Sequence, residues 1–262
     1  MIDAHIHLDQ YDAEEIKDRI KRWQENGIDG VVGVATNLRS SYDILKLKQD
    51  FPIFVRAAIG HHPEIPPPSK HDLYELTKLV KSERHNLSGI GEIGLPTYRK
   101  EELLERNREE EFNAILETFL KLAKDENLPV ALHAVHEESK KVLSFLKKHS
   151  IQKAHFHWLK APDEVIHEIV SEGYYVSVTP EVCYRERDQR LVKKVPIDQL
   201  LIETDGPWQY GGPFARKETS PLLLKEISKS VSNITKIPLK NLNEKIFNNT
   251  NRLYPNFVTD KS

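Results

Sequence analysis

The chain alternates short apolar segments with segments of helical periodicity along almost its whole length. Because short links join each apolar segment to the next helical one, successive strands are expected to lie parallel, with the helices packed outside them. Eight strand–helix units predict an α/β fold, the (β/α)8 TIM barrel. The predicted strands cover residues 2–7, 30–34, 53–60, 88–94, 129–133, 153–157, 174–178 and 199–204.

The competing architecture is a doubly wound open sheet. That fold uses a glycine-rich phosphate turn after its first strand, and residues 8–11 (Leu-Asp-Gln-Tyr) contain no glycine. No Ser/Gly-rich linker or shift in composition divides the chain. We therefore predict a single domain over residues 1–258, followed by a short polar tail at 259–262.

Local signals predict several helix boundaries. The first helix is expected over residues 12–27, with Asp12 and Glu15 forming a capping box and Gly27 ending the helix. A long helix is expected over residues 102–127, where apolar side chains recur at helical spacing. The remaining signals are Pro162 at the first turn of another helix, and helical patterns over residues 220–231 and 242–248.

Charge and composition exclude several classes of protein. The formal net charge of -2 at pH 7 excludes a globally basic nucleic-acid coat. Residues 1–20 are too charged for a signal peptide, and no apolar segment is long enough to span a bilayer. The single cysteine, Cys183, cannot form an internal disulfide, which suits a reducing compartment. We expect a cytoplasmic protein with no membrane association and no obligate protein partner.

Histidines and acidic residues recur at the carboxyl ends of the predicted strands. His5 and His7 are two residues apart, so both imidazoles point to the same face of the first strand. A barrel gathers the carboxyl ends of its strands at one mouth, where active sites lie. Interiors reject unpaired polar groups, so this joint placement indicates a site. The candidates are His5, His7, His61, His62, Glu92, His133, His155, His157, Glu203 and Asp205.

The residue types at this mouth predict a divalent-metal centre. Imidazole and carboxylate ligands without thiolate suit zinc, magnesium, manganese, nickel or iron. A carboxylate such as Glu92 can bridge two ions roughly 3.5–4 Å apart, and a site with one ion is the simpler variant. Asp205 is placed both to bind an ion and to take up the proton of an attacking water. Glu92 and Asp205 are therefore the candidate catalytic residues.

Several motifs along the chain together resemble the TatD family of metal-dependent hydrolases, the TatD-type DNases of the amidohydrolase-like superfamily. The resemblance runs from Ile2 to the tail Asn251-Arg252-Leu253. The matching pieces are His5-Ile6-His7-Leu8-Asp9, Gly60-His61-His62-Pro63, Gly91-Glu92-Ile93-Gly94-Leu95, His133, His157-Trp158 and Glu203-Thr204-Asp205-Gly206-Pro207. Their order and spacing, rather than any one piece, make the match specific.

The resemblance implies two metal positions that share one carboxylate. The ligands implied for the first are His5, His7, Glu92 and Asp205. The ligands implied for the second are Glu92, His133 and His157. His157 is preferred to His155 because it lies at the family's spacing from Gly173, and His155 is expected to be a buried, hydrogen-bonded histidine. His62, directly before Pro63, is implied to contact a substrate phosphate, and Glu203 is expected to orient a ligand histidine.

The chain departs from the family pattern in its substrate wall. Ala134-Val135-His136 stands where the family usually has Ser-Arg-Asp, so an arginine suited to binding phosphate is absent. Pro96 replaces an Asp, and Thr219-Ser220-Pro221 replaces Asn-Glu-Pro. Trp208, just after Asp205, is a candidate for the pocket wall. The metal ligands are kept and parts of the substrate wall are not, so we expect hydrolysis to be retained and leave the substrate open.

The sequence therefore predicts a divalent-metal-dependent hydrolase of phosphodiesters, acting on DNA as a 3′–5′ exonuclease-like DNase. One alternative is a hydrolase of a small ester, amide or phosphoester. Relatives of that kind often carry a carboxylated lysine on strand 4, where this chain has Glu92. A second alternative is a non-catalytic nucleic-acid-binding barrel. Its support is the basic run after strand 7, which contains Arg185, Arg187, Arg190, Lys193 and Lys194.

Overall fold

Eight parallel strands run in chain order around one sheet, in a computed structural model that describes residues 1–106 and 108–257. Each strand pairs with the next one along the chain. The strands are β1 (Ile2–Ile6), β2 (Gly30–Val34), β3 (Val55–Ile59), β4 (Leu87–Gly94), β5 (Val130–His133), β6 (Ala154–Phe156), β7 (Tyr175–Val178) and β8 (Leu200–Ile202). All eight predicted strands and the α/β barrel are confirmed, while residues 258–262 lie outside the described residues.

The first and last strands meet at the carboxyl end of the sheet. The backbone N–H of Asp205 donates to the His5 carbonyl at 3.0 Å, and that of His7 donates to the Gly206 carbonyl at 2.8 Å. The buried Asp3 carboxylate also accepts from the N–H of Thr204 at 2.9 Å. The seam that closes the barrel is thus made by the residues that carry the predicted ligands.

Ten α-helices of the described residues cover the outside of the sheet. They are α1 (Ile16–Glu25), α2 (Leu38–Asp50), α3 (Lys70–Ser82), α4 (Lys100–Leu104), α5 (Glu109–Asp125), α6 (Glu138–Lys148), α7 (Asp163–Ser171), α8 (Glu186–Lys194), α9 (Leu224–Thr235) and α10 (Leu239–Leu253). Their apolar faces pack on the sheet and form the larger of two buried clusters. None of the helices among residues 1–106 and 108–257 has the length and apolar character needed to cross a membrane.

Three helix predictions are wrong in detail. The capping box is absent, because Asp12 accepts from the N–H of Glu14 in a turn that precedes α1. The helix expected over residues 102–127 is two helices, since Arg108 is extended and α5 starts afresh after it with an acidic first turn, which suits the helix dipole. Pro162 caps α7 from outside instead of lying in its first turn.

The last two helices also differ from their predicted bounds. The pattern over residues 220–231 is a single 3-10 turn, Pro221–Leu223, followed by α9. The pattern over residues 242–248 covers only the middle of α10, which begins directly after Pro238. Apolar periodicity located the buried face of each helix but not the turn at its end.

Side chains fill the amino end of the barrel, and the predicted site residues lie at the carboxyl end. Tyr254, just after α10, lies inside the barrel with Ala4, Ala58 and other small or branched residues. The buried Arg56 guanidinium donates to the Tyr254 carbonyl at 2.9 Å and to the side chain of Asn251 at 2.6 Å. This packing positions the end of the chain beneath the predicted site.

We predict that Gly94→Ala destabilises the barrel. A Cβ at Gly94 would lie 1.9 Å from the His133 carbonyl oxygen, a backbone atom that no rotamer change can move. Strand β5 would have to shift, at a cost of about 3 kcal/mol in the free energy of unfolding. Urea denaturation measures this change. Gly211→Ala is the control, because its Cβ would meet nothing closer than 3.9 Å, and equal stability of the two variants would contradict the prediction.

Candidate metal centre

Glu92, fully buried on β4, stands at the centre of the predicted ligands. Its Oε2 atom lies 3.2 Å from His5 Nε2 and 3.4 Å from His7 Nε2. Asp205 Oδ1 lies 3.6 Å and 3.4 Å from the same two nitrogens. The ligands implied for the first metal position therefore converge around one point on the Oε2 side of Glu92.

The second oxygen of Glu92 faces a different set of imidazoles. Its Oε1 atom lies 2.9 Å from His157 Nε2, 3.0 Å from His133 Nδ1 and 3.2 Å from His62 Nε2. The carboxylate thus divides the cluster into two halves, each with nitrogen donors from different strand ends. This arrangement is the one that the implied bridging role of Glu92 requires.

Hydrogen-bond acceptors outside the cluster orient three of the histidines. His7 Nδ1 lies 3.1 Å from the Val34 carbonyl, which can only accept, so the proton of a neutral His7 is on Nδ1. His133 Nε2 lies 3.1 Å from the Glu64 carboxylate, and His157 Nδ1 lies 3.3 Å from that of Glu203. The neighbouring carboxylates raise the pKa of all three rings, that of His7 to about 10. The nitrogen that faces Glu92 therefore holds either a proton or, in the neutral ring, a lone pair that a cation would use.

His62 has the opposite orientation. Its Nδ1 accepts the backbone N–H of Glu64 at 3.1 Å, so the proton of a neutral His62 is on Nε2, which faces the site. Burial also lowers the pKa of His62 and keeps the ring neutral, although Glu92 acts against this. A donor at this position fits contact with a substrate oxygen better than binding of a cation.

The polar atoms of the cluster fit a divalent cation. Glu92 Oε2, His157 Nε2 and Asp205 Oδ1 are buried and form no well-oriented hydrogen bond, although ionisable atoms lie within 4 Å of each. Buried polar groups without partners are costly, and convergent nitrogen and oxygen donors suit zinc, manganese, nickel or iron. Among the described residues, the triads close enough to share one ion are His5–His7–Glu92, His5–His157–Asp205 and His62–Glu92–His133, the last of which includes His62.

Both carboxylates of the cluster remain ionised despite their burial. Desolvation raises the pKa of Glu92, but the surrounding histidines, His62 and His157 among them, lower it well below its usual value. The pKa of Asp205 is also lowered, because the close approach of His7 and the nearby His157 and His5 imidazoles outweigh desolvation. The cluster therefore holds ionised carboxylates beside imidazoles whose protons a divalent cation would replace.

Beneath the cluster, a buried polar network supports His157. Glu203 accepts the backbone N–H of Trp158 at 2.9 Å, in addition to its contact with His157. His155 lies deeper in the barrel, where its Nδ1 is 3.0 Å from the Tyr254 hydroxyl, and burial lowers its pKa well below the usual value. Glu203 and His155 thus lie beneath the cluster, where the sequence placed them.

His61 lies outside the cluster. Its Nε2 is 3.0 Å from the Pro66 carbonyl, and burial lowers its pKa to about 4. The imidazole is therefore neutral, and its hydrogen bond to Pro66 stabilises the loop after β3. The sequence-based preference for His62 over its neighbour matches this placement.

Glu64 is a residue of the site that the sequence reasoning missed. Besides contacting His133, its carboxylate accepts the backbone N–H groups of Thr97, Tyr98 and Arg99 at 2.7–2.9 Å. It therefore ties the loop after β3 to the loop after β4 and orients His133. The sequence feature that could have identified Glu64 is its position directly after His62-Pro63, in the loop that follows β3.

The cluster forms the floor of a cavity of about 780 Å³ at the carboxyl end of the strands. Trp208 lies in its wall, as expected, with 58% of its surface exposed. Trp158 contacts Trp208 edge to face at 5.8 Å between ring centroids. Val135 and Lys160 line the wall near His133. A cavity of this volume is in the range that holds one small organic ligand or the end of a longer one.

Comparison with known proteins supports a metal-dependent hydrolase. A family model described as TatD related DNase matches residues 2–255. A Haemophilus influenzae protein named "Uncharacterized metal-dependent hydrolase" is 35% identical over 254 residues, covering 97% of this chain and 99% of the relative. Human "Deoxyribonuclease TATDN3" is 24% identical over 263 residues, covering 97% and 94%. The crystal structure of YJJV, a TATD homolog from Escherichia coli, has a TM-score of 0.85 at 23% identity and covers 97% of both chains.

We predict that divalent cations stabilise the protein through Glu92. Binding to the folded state alone, at about 100 times Kd, adds about 2.7 kcal/mol and raises Tm by roughly 5–10 °C. Thermal denaturation with zinc or manganese, and with a chelator, measures the shift. Glu92→Gln should abolish the shift, while Glu138→Gln, a buried glutamate that pairs with Lys100, should retain it. The same shift in both variants would exclude Glu92 as a ligand.

We also predict a pH-dependent stabilisation by Glu64. Although burial raises the pKa of this carboxyl, hydrogen bonds from His133 and from the Thr97 and Tyr98 N–H groups lower it to about 2. The carboxylate therefore stabilises the fold by about 3 kcal/mol above its unfolded pKa near 4.5, and this contribution is lost as pH falls towards 2. The difference in unfolding free energy between wild type and Glu64→Gln should shrink between pH 5 and 3. A difference independent of pH would contradict this assignment.

Proposed function

The chain belongs to the TatD-related DNase family and is a metal-dependent hydrolase, and we propose that its substrates are the phosphodiester bonds of DNA. The observation that carries the proposal is the Glu92 carboxylate, which presents each of its oxygens to a separate set of imidazoles. Paired cation positions of this kind suit phosphodiester hydrolysis, in which both the attacking and the leaving oxygen need stabilisation. The deoxyribonuclease name of the human relative agrees with this substrate.

The residues that would hold the metal are His5, His7, Glu92, His133, His157 and Asp205. Divalent cations supply Lewis-acid stabilisation of charge on a phosphodiester and lower the pKa of an attacking water. The protein fixes the directions of the donor atoms, because the Val34 carbonyl, Glu64 and Glu203 hold the far sides of three rings.

Asp205 is the proposed acceptor of the water proton. Its carboxylate is ionised because its pKa is lowered, and its Oδ1 forms no hydrogen bond. Backbone bonds hold its position, since its N–H donates to His5 and its carbonyl accepts from Trp208. A fixed, ionised carboxylate at the edge of the cluster meets the geometric requirement for a general base.

His62 and Trp208 are the proposed contacts to the substrate. His62 presents Nε2–H to the site and is placed to donate to a phosphate oxygen. Trp208 exposes its indole in the cavity wall, where an unpaired base can stack on it. Together they favour a single-stranded DNA end over a paired one.

The setting of this activity follows the sequence predictions. We propose one catalytic domain over residues 1–258 and a cytoplasmic location, since a half-buried free thiol at Cys183 suits a reducing compartment.

The non-catalytic alternative is disfavoured, because much of the basic run after β7 is neutralised by neighbouring acids. Its ion pairs among the described residues are Arg185–Glu181, Arg187–Glu181, Arg187–Asp188, Arg190–Glu186 and Lys194–Asp163.

We predict metal-dependent cleavage of labelled single-stranded DNA. Asp205→Asn removes the proton acceptor but leaves the fold, so it should lower kcat by about 100-fold or more. Asp198→Asn is the control, since Asp198 is exposed and pairs with Lys245 away from the site. Gel analysis of products over time measures the rate and the end at which cleavage begins. Cleavage that resists a chelator, or that Glu92→Ala leaves unchanged, would refute the mechanism.

A panel of small esters, amides and phosphomonoesters tests the alternative substrate class on the same preparations. Hydrolysis of one of these compounds with no cleavage of DNA would overturn the DNA assignment. The metal-dependent hydrolase itself would stand in that case.

A further inference from the structure

We propose that Lys160 is the residue that binds the phosphodiester anion, in place of the arginine that the family pattern has at Val135. The proposal rests on the proposed function, because it names the cationic contact that a DNA substrate needs at this site. A substrate phosphate next to the metal cluster requires a donor that is charged, positioned and not already committed to an ion pair. Lys160 meets all three conditions.

Lys160 lies beside the position of the missing arginine. The backbone N–H of His136, the residue after Val135, donates to the Lys160 carbonyl. The loop after β5 is therefore bonded to the loop after β6 at this point. Both Val135 and Lys160 line the cavity that contains the cluster. Lys160, in the loop after β6, can therefore place a positive charge in the same region of the cavity that an arginine at Val135, in the loop after β5, would occupy.

Two aromatic residues hold the Lys160 ammonium in place. Its Nζ lies 3.8 Å from the Trp158 ring centroid and donates to the Tyr98 hydroxyl at 2.8 Å. The Tyr98 ring in turn lies 5.9 Å from that of His133, one of the implied metal ligands. The ammonium is therefore held on the His133 side of the cavity, and this restraint reduces the entropy lost when an anion binds.

Lys160 differs from Arg99 in the cavity wall, and from the nearby Arg187, in that it forms no ion pair with an acidic residue. Arg99 is bound by the Glu102 carboxylate at 2.5 Å and 2.8 Å, and it donates to the Glu64 carbonyl. Arg187 pairs with Glu181 and Asp188. Within residues 1–106 and 108–257, Lys160 Nζ forms no ion pair at 4.0 Å or less, and Glu181, Asp188 and Asp205 act on its charge only from farther away. Its remaining N–H donors are available to a ligand.

The half-buried position of Lys160 also favours an anionic ligand. Desolvation lowers its pKa, and the nearby Arg187 lowers it further. A phosphate oxygen that replaces the lost hydration would stabilise the charged form, and the low local dielectric would strengthen the contact. A neutral ligand would provide no such compensation.

The test compares two short oligothymidylates, each labelled with fluorescein. One has anionic phosphorothioate linkages that resist cleavage, and the other has neutral methylphosphonate linkages. Wild-type protein with its metal should bind the anionic oligomer more tightly in fluorescence anisotropy. Lys160→Met should weaken that binding roughly 10- to 100-fold and leave binding of the neutral oligomer unchanged. Lys153→Met, a change of the same charge in an exposed residue just before β6, is the control and should behave as wild type.

A second variant tests whether the two loops are interchangeable. Lys160→Met combined with Val135→Arg returns a cation to the same wall, so it should recover part of the lost affinity and part of the lost kcat/KM on DNA. Thermal denaturation checks that each variant is folded. Equal binding of both oligomers by wild type, or an anion preference that survives Lys160→Met, overturns the proposal. Cleavage of DNA by wild type is scored separately, so a failure of the proposed function is distinguishable from a failure of Lys160.

Discussion

The buried carboxylate of Glu92 is the constraint on which the site depends. Its two oxygens lie within 3.4 Å of five imidazole nitrogens, from His5, His7, His62, His133 and His157. A lone buried carboxylate would be neutralised by desolvation, but here the imidazoles keep it ionised. The barrel supplies the geometry, because parallel strands deliver these groups to one end from distant parts of the chain.

The surroundings of the cluster decide what each histidine can do. The neutral forms of His7 and His62 carry their proton on different ring nitrogens. His7 Nδ1 faces a carbonyl oxygen, whereas His62 Nδ1 accepts a backbone N–H. One ring can then serve as a ligand and the other as a donor. The hydrogen-bond partners behind the rings, Glu64 and Glu203 among them, therefore set which nitrogen of each histidine faces the cluster.

The sequence was sufficient for the strands and the cluster because both follow strict rules. Apolar runs with alternating helices specify the barrel, and polar residues at strand ends have no packing reason to be there. The sequence did not predict the contacts of Glu64 and Lys160, because these contacts join different loops and no local pattern encodes them. The start of α1 and the break before α5 were missed for a related reason, since turns compete with helical periodicity on small energy differences.

Closure of the barrel has a consequence for how the protein is made. His5 and Asp205 are joined by a backbone hydrogen bond at the seam, although 200 residues (205 − 5) separate them along the chain. A nascent polypeptide emerging from the ribosome therefore lacks a complete cage until its eighth strand has been synthesised. Pairing of the first and last strands brings Asp205 to His5, His7 and Glu92, so binding of a cation by all four groups would be coupled to closure of the barrel.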